Sequence, residues 1–268
     1  MSALADSRTF PHDYRQLFAG APRPVVVGGQ AVNLWAILYL EPGEIQSSSR
    51  KYGSHDLDVL SNRDVLALLK RLPDWRFTPT KWTVFGSGIT ARAERVAQDG
   101  RKLLVEVLHS VAGLEPVDLK HTDEIELDGT IYRLLDPIAM LKAKAYNFAH
   151  FDQTGEPPRQ DEMHLRIIAT CVPIYLSAAH DRLLELVAQG HAEAAALRRS
   201  LSRNLSRTFE ILTHKKLLPA IVGAGIDPLS VVPASFRTSV EPKIARACEF
   251  QLPRIAAAMS GPDRNVTP

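Results

Sequence analysis

Hydrophobic positions in the first half of the chain follow two spacings that alternate along the sequence. Short β-branched or aliphatic runs, two of which contain a single acidic residue, predict buried strands over residues 24–27, 57–60 and 103–108. Apolar residues three and four apart predict helices over residues 31–40 and 64–71. Strands that alternate with helices indicate a sheet with helices packed against it.

Two further segments are expected to form antiparallel strand pairs. Residues 75–89 are rich in aromatic residues and contain Pro79 and the run Gly86-Ser87-Gly88, which predicts two strands joined by a turn. Residues 125–132 alternate apolar and polar side chains around Asp128-Gly129. Because Asp and Gly tolerate positive φ angles, this second segment predicts a tight β-hairpin.

The second half of the chain is helical in its spacing. Asp136 precedes Pro137, and this order of capping residue and proline predicts a helix that runs through Ala149. From Glu162 onwards every segment has helical spacing. Breaks in this pattern are predicted at Pro173, Gly190, Pro219 and Pro228.

These patterns together predict an α+β fold. We expect a small mixed β-sheet core with flanking helices in residues 1–135, followed by a helical C-terminal domain in residues 136–268 that completes a cleft. Residues 154–159 contain glycine and two prolines and are expected to form a loop. Residues 261–268 are expected to be a frayed tail.

Composition narrows the class of protein. The chain has 268 residues and a formal net charge of +2, with 45% hydrophobic and 23% charged residues, which excludes a disordered or fibrous protein. Cys171 and Cys248 lie far apart, so we expect no disulfide framework, no structural zinc and a cytoplasmic location. No apolar run approaches the roughly 20 residues that span a bilayer, and the N-terminus lacks the apolar segment of a signal peptide. We therefore expect no membrane partner.

Three acidic residues fall on the predicted strands. Asp56 and Asp58 are two residues apart, so their side chains project from one face, and their mutual repulsion calls for a cation. Glu106 is the single acid in an otherwise apolar strand. If the two strands are neighbours, three carboxylates converge. Oxygen ligands without His or Cys suit Mg²⁺ or Mn²⁺, and such sites are typical of phosphoryl transfer.

A glycine pair precedes these acids along the chain. Gly28 and Gly29 stand between a predicted strand and a predicted helix. Glycines at such a turn let backbone N–H groups approach a polyphosphate at a helix N-terminus. Neither the glycine pair nor the acidic pair is specific alone. The full order of strand, glycines, helix, acidic strand and third acid is a much more specific signature than either motif alone.

These segments resemble a known family. VVVGGQAVNLW followed by SHDLDVL resembles the signature of polymerase-β-like nucleotidyltransferases, and LVEVL is similar to the strand that carries their third carboxylate. IYRLLDPIAMLKAKAYN is similar to a segment of AbiEii-type nucleotidyltransferases, the toxins of type IV toxin–antitoxin and abortive-infection systems. The resemblance covers scattered pieces of residues 24–165. It implies an NTP substrate, Mg²⁺ or Mn²⁺, an RNA or protein acceptor, and an antitoxin partner.

The resemblance also implies roles for individual residues. The catalytic and metal-binding residues would be Asp56, Asp58 and Glu106. The nucleotide-binding residues would be Gly28, Gly29, Ser54, Lys142 and Asp161. Three departures accompany it: an insertion over residues 41–51, Arg50 or Lys51 in place of the usual arginine before the acids, and Gln160 where the family has lysine.

Two interpretations of function stay open at this point. One is a nucleotidyltransferase of the EC 2.7.7 type, and the other is a catalytically silent module of the same fold that binds nucleotide, RNA or a partner protein. The position of Glu106 relative to the aspartates distinguishes them. Arg199, Arg203 and Arg207 recur every four residues and form one helical stripe, which is either a solvated face or a contact for an RNA backbone. The sequence does not decide whether the side chain of Arg159 lies near the site or in solvent.

Overall fold

A computed structural model describes residues 9–40, 54–80, 88–154 and 159–259. Some predictions lie outside these residues and concern the insertion at 41–51 with Arg50 and Lys51, the turn residues Gly86 and Ser87, most of the 154–159 loop, and the tail at 261–268. Within the described ranges, no helix is both long and apolar enough to cross a membrane.

Seven strands of the described chain form one sheet. They are β1 Val25–Val27, β2 Leu57–Leu60, β3 Arg76–Pro79, β4 Ile89–Val96, β5 Lys102–Leu108, β6 Thr122–Leu127 and β7 Thr130–Leu135. Their order across the sheet is β3-β4-β5-β2-β1-β7-β6. β2 is parallel to β5 and β1 is parallel to β7, while the other neighbours are antiparallel. The sheet is therefore mixed, as the sequence predicts.

The helices pack around this sheet and continue beyond it. They are α1 Gly28–Tyr39, α2 Arg63–Arg71, α3 Pro137–His150, α4 Asp161–Ala188, α5 Ala194–Thr213, α6 Leu217–Gly223 and α7 Ala234–Met259. Short 3-10 helices occur at Pro11–Phe18, Asp118–Lys120 and Pro228–Val231. The mixed sheet followed by a run of helices is consistent with an α+β fold.

Local chemistry accounts for several of these boundaries. The β6–β7 hairpin turns at Asp128 and Gly129, whose φ angles are +48° and +71°, as the Asp-Gly prediction requires. The Asp136 carboxylate accepts a 2.7 Å hydrogen bond from the backbone N–H of Ala139 and caps α3. Gly190, with φ +64°, follows the end of α4.

The predicted break at Pro173 is wrong. α4 is continuous over 28 residues and contains Pro173 in its interior. Proline lacks a backbone N–H and costs a helix interior about 3 kcal/mol. Cys171, Val172 and Leu176 are buried around it, so core packing holds this part of the helix together. Pro219 lies in the first turn of α6, where a missing N–H has no intrahelical acceptor, so the break falls just before it.

One hydrophobic cluster connects the two halves of the chain. It contains Val26 and Trp35 from the first half and Leu141 and Leu165 from the second. The Trp35 indole N–H donates a 2.9 Å hydrogen bond to the carbonyl of Leu135. The helical half therefore packs directly on the sheet and α1, and the division at residue 135 stays a prediction.

Candidate active site

The predicted acids meet where three neighbouring strands lie side by side. Val27 of β1 is paired with Asp58 of β2, and Asp58 is paired with Glu106 of β5. Gly28 follows Val27 directly, so the glycine turn lies beside the acids. Leu57 on β2 is only 1% exposed and points into the core. Asp58 therefore points to the other face, as alternation along a strand requires. Asp56 lies directly before the first residue of β2.

The three carboxylates come close enough to share one cation. One oxygen from each of Asp56, Asp58 and Glu106 lies within 4.8 Å of the others. The predicted convergence is confirmed, and the catalytic and metal-binding roles of these acids stay predictions. The convergence favours the enzyme over the silent module, because Glu106 is the residue that distinguishes the two.

Electrostatics at this cluster disfavours three bare negative charges. Partial burial, together with the charges of Asp56 and Glu106, raises the pKa of Asp58 well above its usual range. Burial also raises the pKa of Asp56, and burial together with Asp56 raises that of Glu106. A divalent cation offsets this cost, and three carboxylate oxygens without a soft ligand fit Mg²⁺ or Mn²⁺.

Arg92 on β4 is a neighbour of the cluster that sequence analysis did not identify. It is paired with Glu106 across the sheet, and its guanidinium donates to Glu106 Oε1 at 2.8 Å. Arg92 is half-exposed, so this contact neutralises only part of the acidic charge. Its strand carries several charged residues, and no apolar pattern indicated that Arg92 would face the site.

Both glycines of the turn are enclosed by site residues. Gly28 has a φ of +67°, and a Cβ atom there would lie 2.9 Å from Asp58 Cγ and closer still to Oδ2. A Cβ at Gly29 would lie 2.8 Å from Ser54 Oγ and 2.9 Å from His164 Cε1. Glycine is therefore needed at both positions for the acids, the serine and the histidine to pack this closely. Binding of nucleotide by this turn stays a prediction.

Ser54 lies beside the acids, as predicted. It is buried, and its hydroxyl donates a 3.4 Å hydrogen bond to Asp56 Oδ1. Its backbone pairs with Thr9 in an isolated antiparallel bridge. The serine thus fixes the approach of the chain to the acidic strand.

A basic group lines the same cavity as the acids. Asp161, at the start of α4, accepts hydrogen bonds from Lys144 Nζ at 3.0 Å and Arg159 Nε at 2.6 Å. Burial alone would raise the pKa of Asp161, but Lys144 and Arg159 outweigh it and lower the pKa to about 2. Two cations thus share one carboxylate, which leaves a surplus positive charge. Asp161 positions the two cations.

Lys142 does not lie with these residues. Its ammonium contacts Asp118 at 2.7 Å and lines a separate cavity of about 540 Å³ on another face of α3. Residues two apart on a helix point in nearly opposite directions, since each residue turns the helix by about 100°. Lys144, not Lys142, is therefore the lysine beside the acids. α3 is apolar around most of its circumference, so periodicity could not distinguish the two lysines.

The acidic and basic groups line one cavity of about 340 Å³. Its lining comprises Gly29, Ser54, His55, Asp56, Asp58, Glu106, Lys144, Arg159, Gln160, Asp161 and His164. This volume lies within the range of about 300–1,000 Å³ typical of small-molecule sites. The opposed charges suit a ligand that is itself anionic and carries a cation.

His164 is another site residue that sequence analysis did not identify. It is 4% exposed, and burial together with Lys144 lowers its pKa to about 3. The imidazole is therefore neutral at physiological pH. A histidine on the apolar face of a long helix has no sequence signal that separates a ligand contact from ordinary packing.

The arginine stripe lies outside this cavity and is not uniform. Arg199 and Arg203 are exposed on α5. Arg207 is 13% exposed and forms an ion pair with Asp136, one contact of which measures 3.1 Å. Only the first two arginines are therefore accessible for RNA.

Comparisons with known proteins add little to this geometry. No protein-family model matches the chain, and no curated protein is significantly similar to it. An alignment with the crystal structure of an antigenic nucleotidyltransferase-like protein from Paracoccidioides brasiliensis covers 56% of this chain and 67% of that chain. The sequence identity is 19% and the TM-score is 0.35. That score does not establish a shared fold, so we infer the function from the site itself.

Proposed function

We propose that this protein is a metal-dependent nucleotidyltransferase that transfers NMP from an NTP to a hydroxyl group. The observation that carries the proposal is one cavity lined both by the carboxylate cluster of Asp56, Asp58 and Glu106 and by the cations Lys144 and Arg159. A metal–triphosphate complex has the complementary charge distribution. Its cation matches the carboxylates, and its phosphate oxygens match the ammonium and guanidinium.

The three carboxylates would hold Mg²⁺ or Mn²⁺. Bound there, the ion would supply charge to the reacting phosphate and lower the pKa of an attacking hydroxyl. The rest of the chemistry belongs to the chain. Lys144 and Arg159 are held in place by Asp161 and bind phosphate oxygens of the NTP.

The reaction follows from this arrangement of groups. The oxygen of an acceptor hydroxyl forms a bond to the α-phosphorus, and the bond from that phosphorus to the bridging oxygen of the β-phosphate breaks. Pyrophosphate leaves with that oxygen, beside the positive charge of Lys144 and Arg159. The proton of the hydroxyl passes to the carboxylate of Asp58 or Glu106, which acts as the general base.

The acceptor is RNA or protein, on the basis of the resemblance to AbiEii-type enzymes. That resemblance also supports a role as a toxin with a separate antitoxin partner. The exposed residues Arg199 and Arg203 provide a cationic edge that an RNA backbone can follow. A protein acceptor has no need of such an edge.

Incubation with each α-labelled NTP tests the proposal. We expect Mg²⁺-dependent label transfer to total RNA or to protein, which EDTA abolishes. Asp58→Asn should abolish transfer as well, because it removes a carboxylate and keeps the side-chain size. Asp181→Asn is the matched control, because Asp181 is an exposed carboxylate elsewhere on the protein. Equal label transfer by wild type and Asp58→Asn would contradict the proposal.

A further inference from the structure

His164 lines the cavity and carries a ring nitrogen that has no partner among the described residues. Its Nε2 is buried and makes no hydrogen bond there. Buried polar atoms are almost always hydrogen-bonded, because leaving one unpaired costs stability. Because His164 also lines the cavity that holds the acids, its unpaired nitrogen points to a ligand contact there.

The surroundings of His164 indicate the chemistry of that ligand. The imidazole lies against the backbone of Gly29, in the first turn of α1. No side chain caps this helix N-terminus, and a helix N-terminus favours negative charge. Lys144 adds the surplus positive charge of the basic group and interacts electrostatically with His164. All three features favour an anion, and a phosphate is the anion of the proposed substrate.

We propose that His164 binds the nucleotide, donating a hydrogen bond from its Nε2–H to a phosphate oxygen at the glycine turn. This inference rests on the proposed function and adds a residue to the same site. In the tautomer that carries its proton on Nε2, the neutral ring donates there without adding a charge to compete with Lys144. His164 is thus a binding residue for the triphosphate, and its contact does not depend on which nucleobase the NTP carries.

Two substitutions separate this contact from a packing role. His164→Leu keeps an apolar side chain of similar bulk and removes the donor. His164→Gln retains an amide N–H about as far along the side chain as Nε2. The probe is Mg²⁺-tripolyphosphate, which contains the phosphates common to all NTPs, and its affinity is measured by calorimetry on the full chain alongside Mg²⁺-ATP.

We expect His164→Leu to bind both probes roughly tenfold or more weakly, the size expected for a hydrogen bond to a charged group. His164→Gln should recover most of this loss. Without ligand, His164→Leu should melt at the same or a higher temperature, because it removes an unpaired buried polar atom. A histidine needed only for packing would give the opposite result: lower melting temperature and unchanged affinity.

The outcomes distinguish this inference from the proposed function. Wild-type protein that binds neither probe in Mg²⁺ would overturn both. Wild-type binding that His164→Leu leaves unchanged would overturn the role of His164 alone. If His164→Leu binds Mg²⁺-ATP more weakly but Mg²⁺-tripolyphosphate as tightly as wild type does, the role is also overturned, because the contact would then lie away from the phosphates.

Discussion

Replacement of Gly28 by alanine tests the link between the backbone turn and the acids. Gly28 has a φ of +67°, and an added Cβ would approach Asp58 Cγ at 2.9 Å and Cβ at 3.0 Å. Asp58 is held by β2, which pairs on both sides, so its carboxylate has to turn away or the strand pairing has to open. Either response moves Asp58 out of the three-acid cluster.

The size of the effect follows from two contributions. A non-glycine residue in the left-handed region costs about 1–2 kcal/mol. Overpacking of an enclosed position costs typically about 1–3 kcal/mol more. Together they predict that Gly28→Ala lowers the free energy of unfolding by roughly 2–5 kcal/mol. The same substitution should also weaken Mg²⁺-dependent binding of nucleotide.

Gly129→Ala is the matched control for this experiment. Gly129 has a similar φ of +71°, but a Cβ there would meet no atom within 4 Å. We expect it to lose only the conformational contribution, about 1–2 kcal/mol, and to keep nucleotide binding intact. Urea denaturation gives the stabilities, and the shift in melting temperature with Mg²⁺-ATP gives the binding. Equal losses in both variants, with binding retained in both, would refute the reasoning.

Three further predictions concern the charges. In EDTA, the raised pKa of Asp58 means that stability should fall as the pH rises through that pKa, and Asp58→Asn should flatten a plot of melting temperature against pH. Arg207→Gln leaves the buried Asp136 carboxylate without its ion-pair partner, so the free energy of unfolding measured by urea denaturation should fall by about 3 kcal/mol. The exposed Arg203→Gln should change the same free energy by no more than about 0.5 kcal/mol. Changing Arg199 and Arg203 to glutamine should flatten the log–log salt dependence of single-stranded RNA binding by about 1.4, and an unchanged slope would mean that RNA does not use this edge.

Local patterns predicted the parts of the fold that depend on local chemistry. The strands β1, β2 and β5 are mainly apolar runs, the hairpin turn uses Asp128-Gly129, and α3 begins at a capped proline. The convergence of the acids was predictable too, because it needs only strand alternation and adjacency of β2 and β5. The strands, the hairpin turn and the helix cap are set by residues close together in the sequence, whereas the convergence also needs β2 and β5 to be neighbours.

The features that sequence analysis missed depend on tertiary contacts. Pro173 is tolerated because buried neighbours hold α4 together. β4 continues to Val96 through Arg92 and Glu94, since cross-strand ion pairs satisfy these charges. The sequence alone does not distinguish Lys144 from Lys142, because the ion pair between Lys144 and Asp161 is a tertiary contact. A polar residue whose partner is distant in sequence carries no local signal of its role.

Crystals of the protein with Mn²⁺ and a non-hydrolysable NTP analogue give the most direct measurement. The anomalous signal of manganese locates the ion without reference to any assumed role of the residues. We predict a peak within coordination distance of Asp56, Asp58 and Glu106, with phosphate oxygens of the analogue facing Lys144 and Arg159. A bound analogue without manganese at these three carboxylates, or with its phosphates in another cavity, would contradict the central claim.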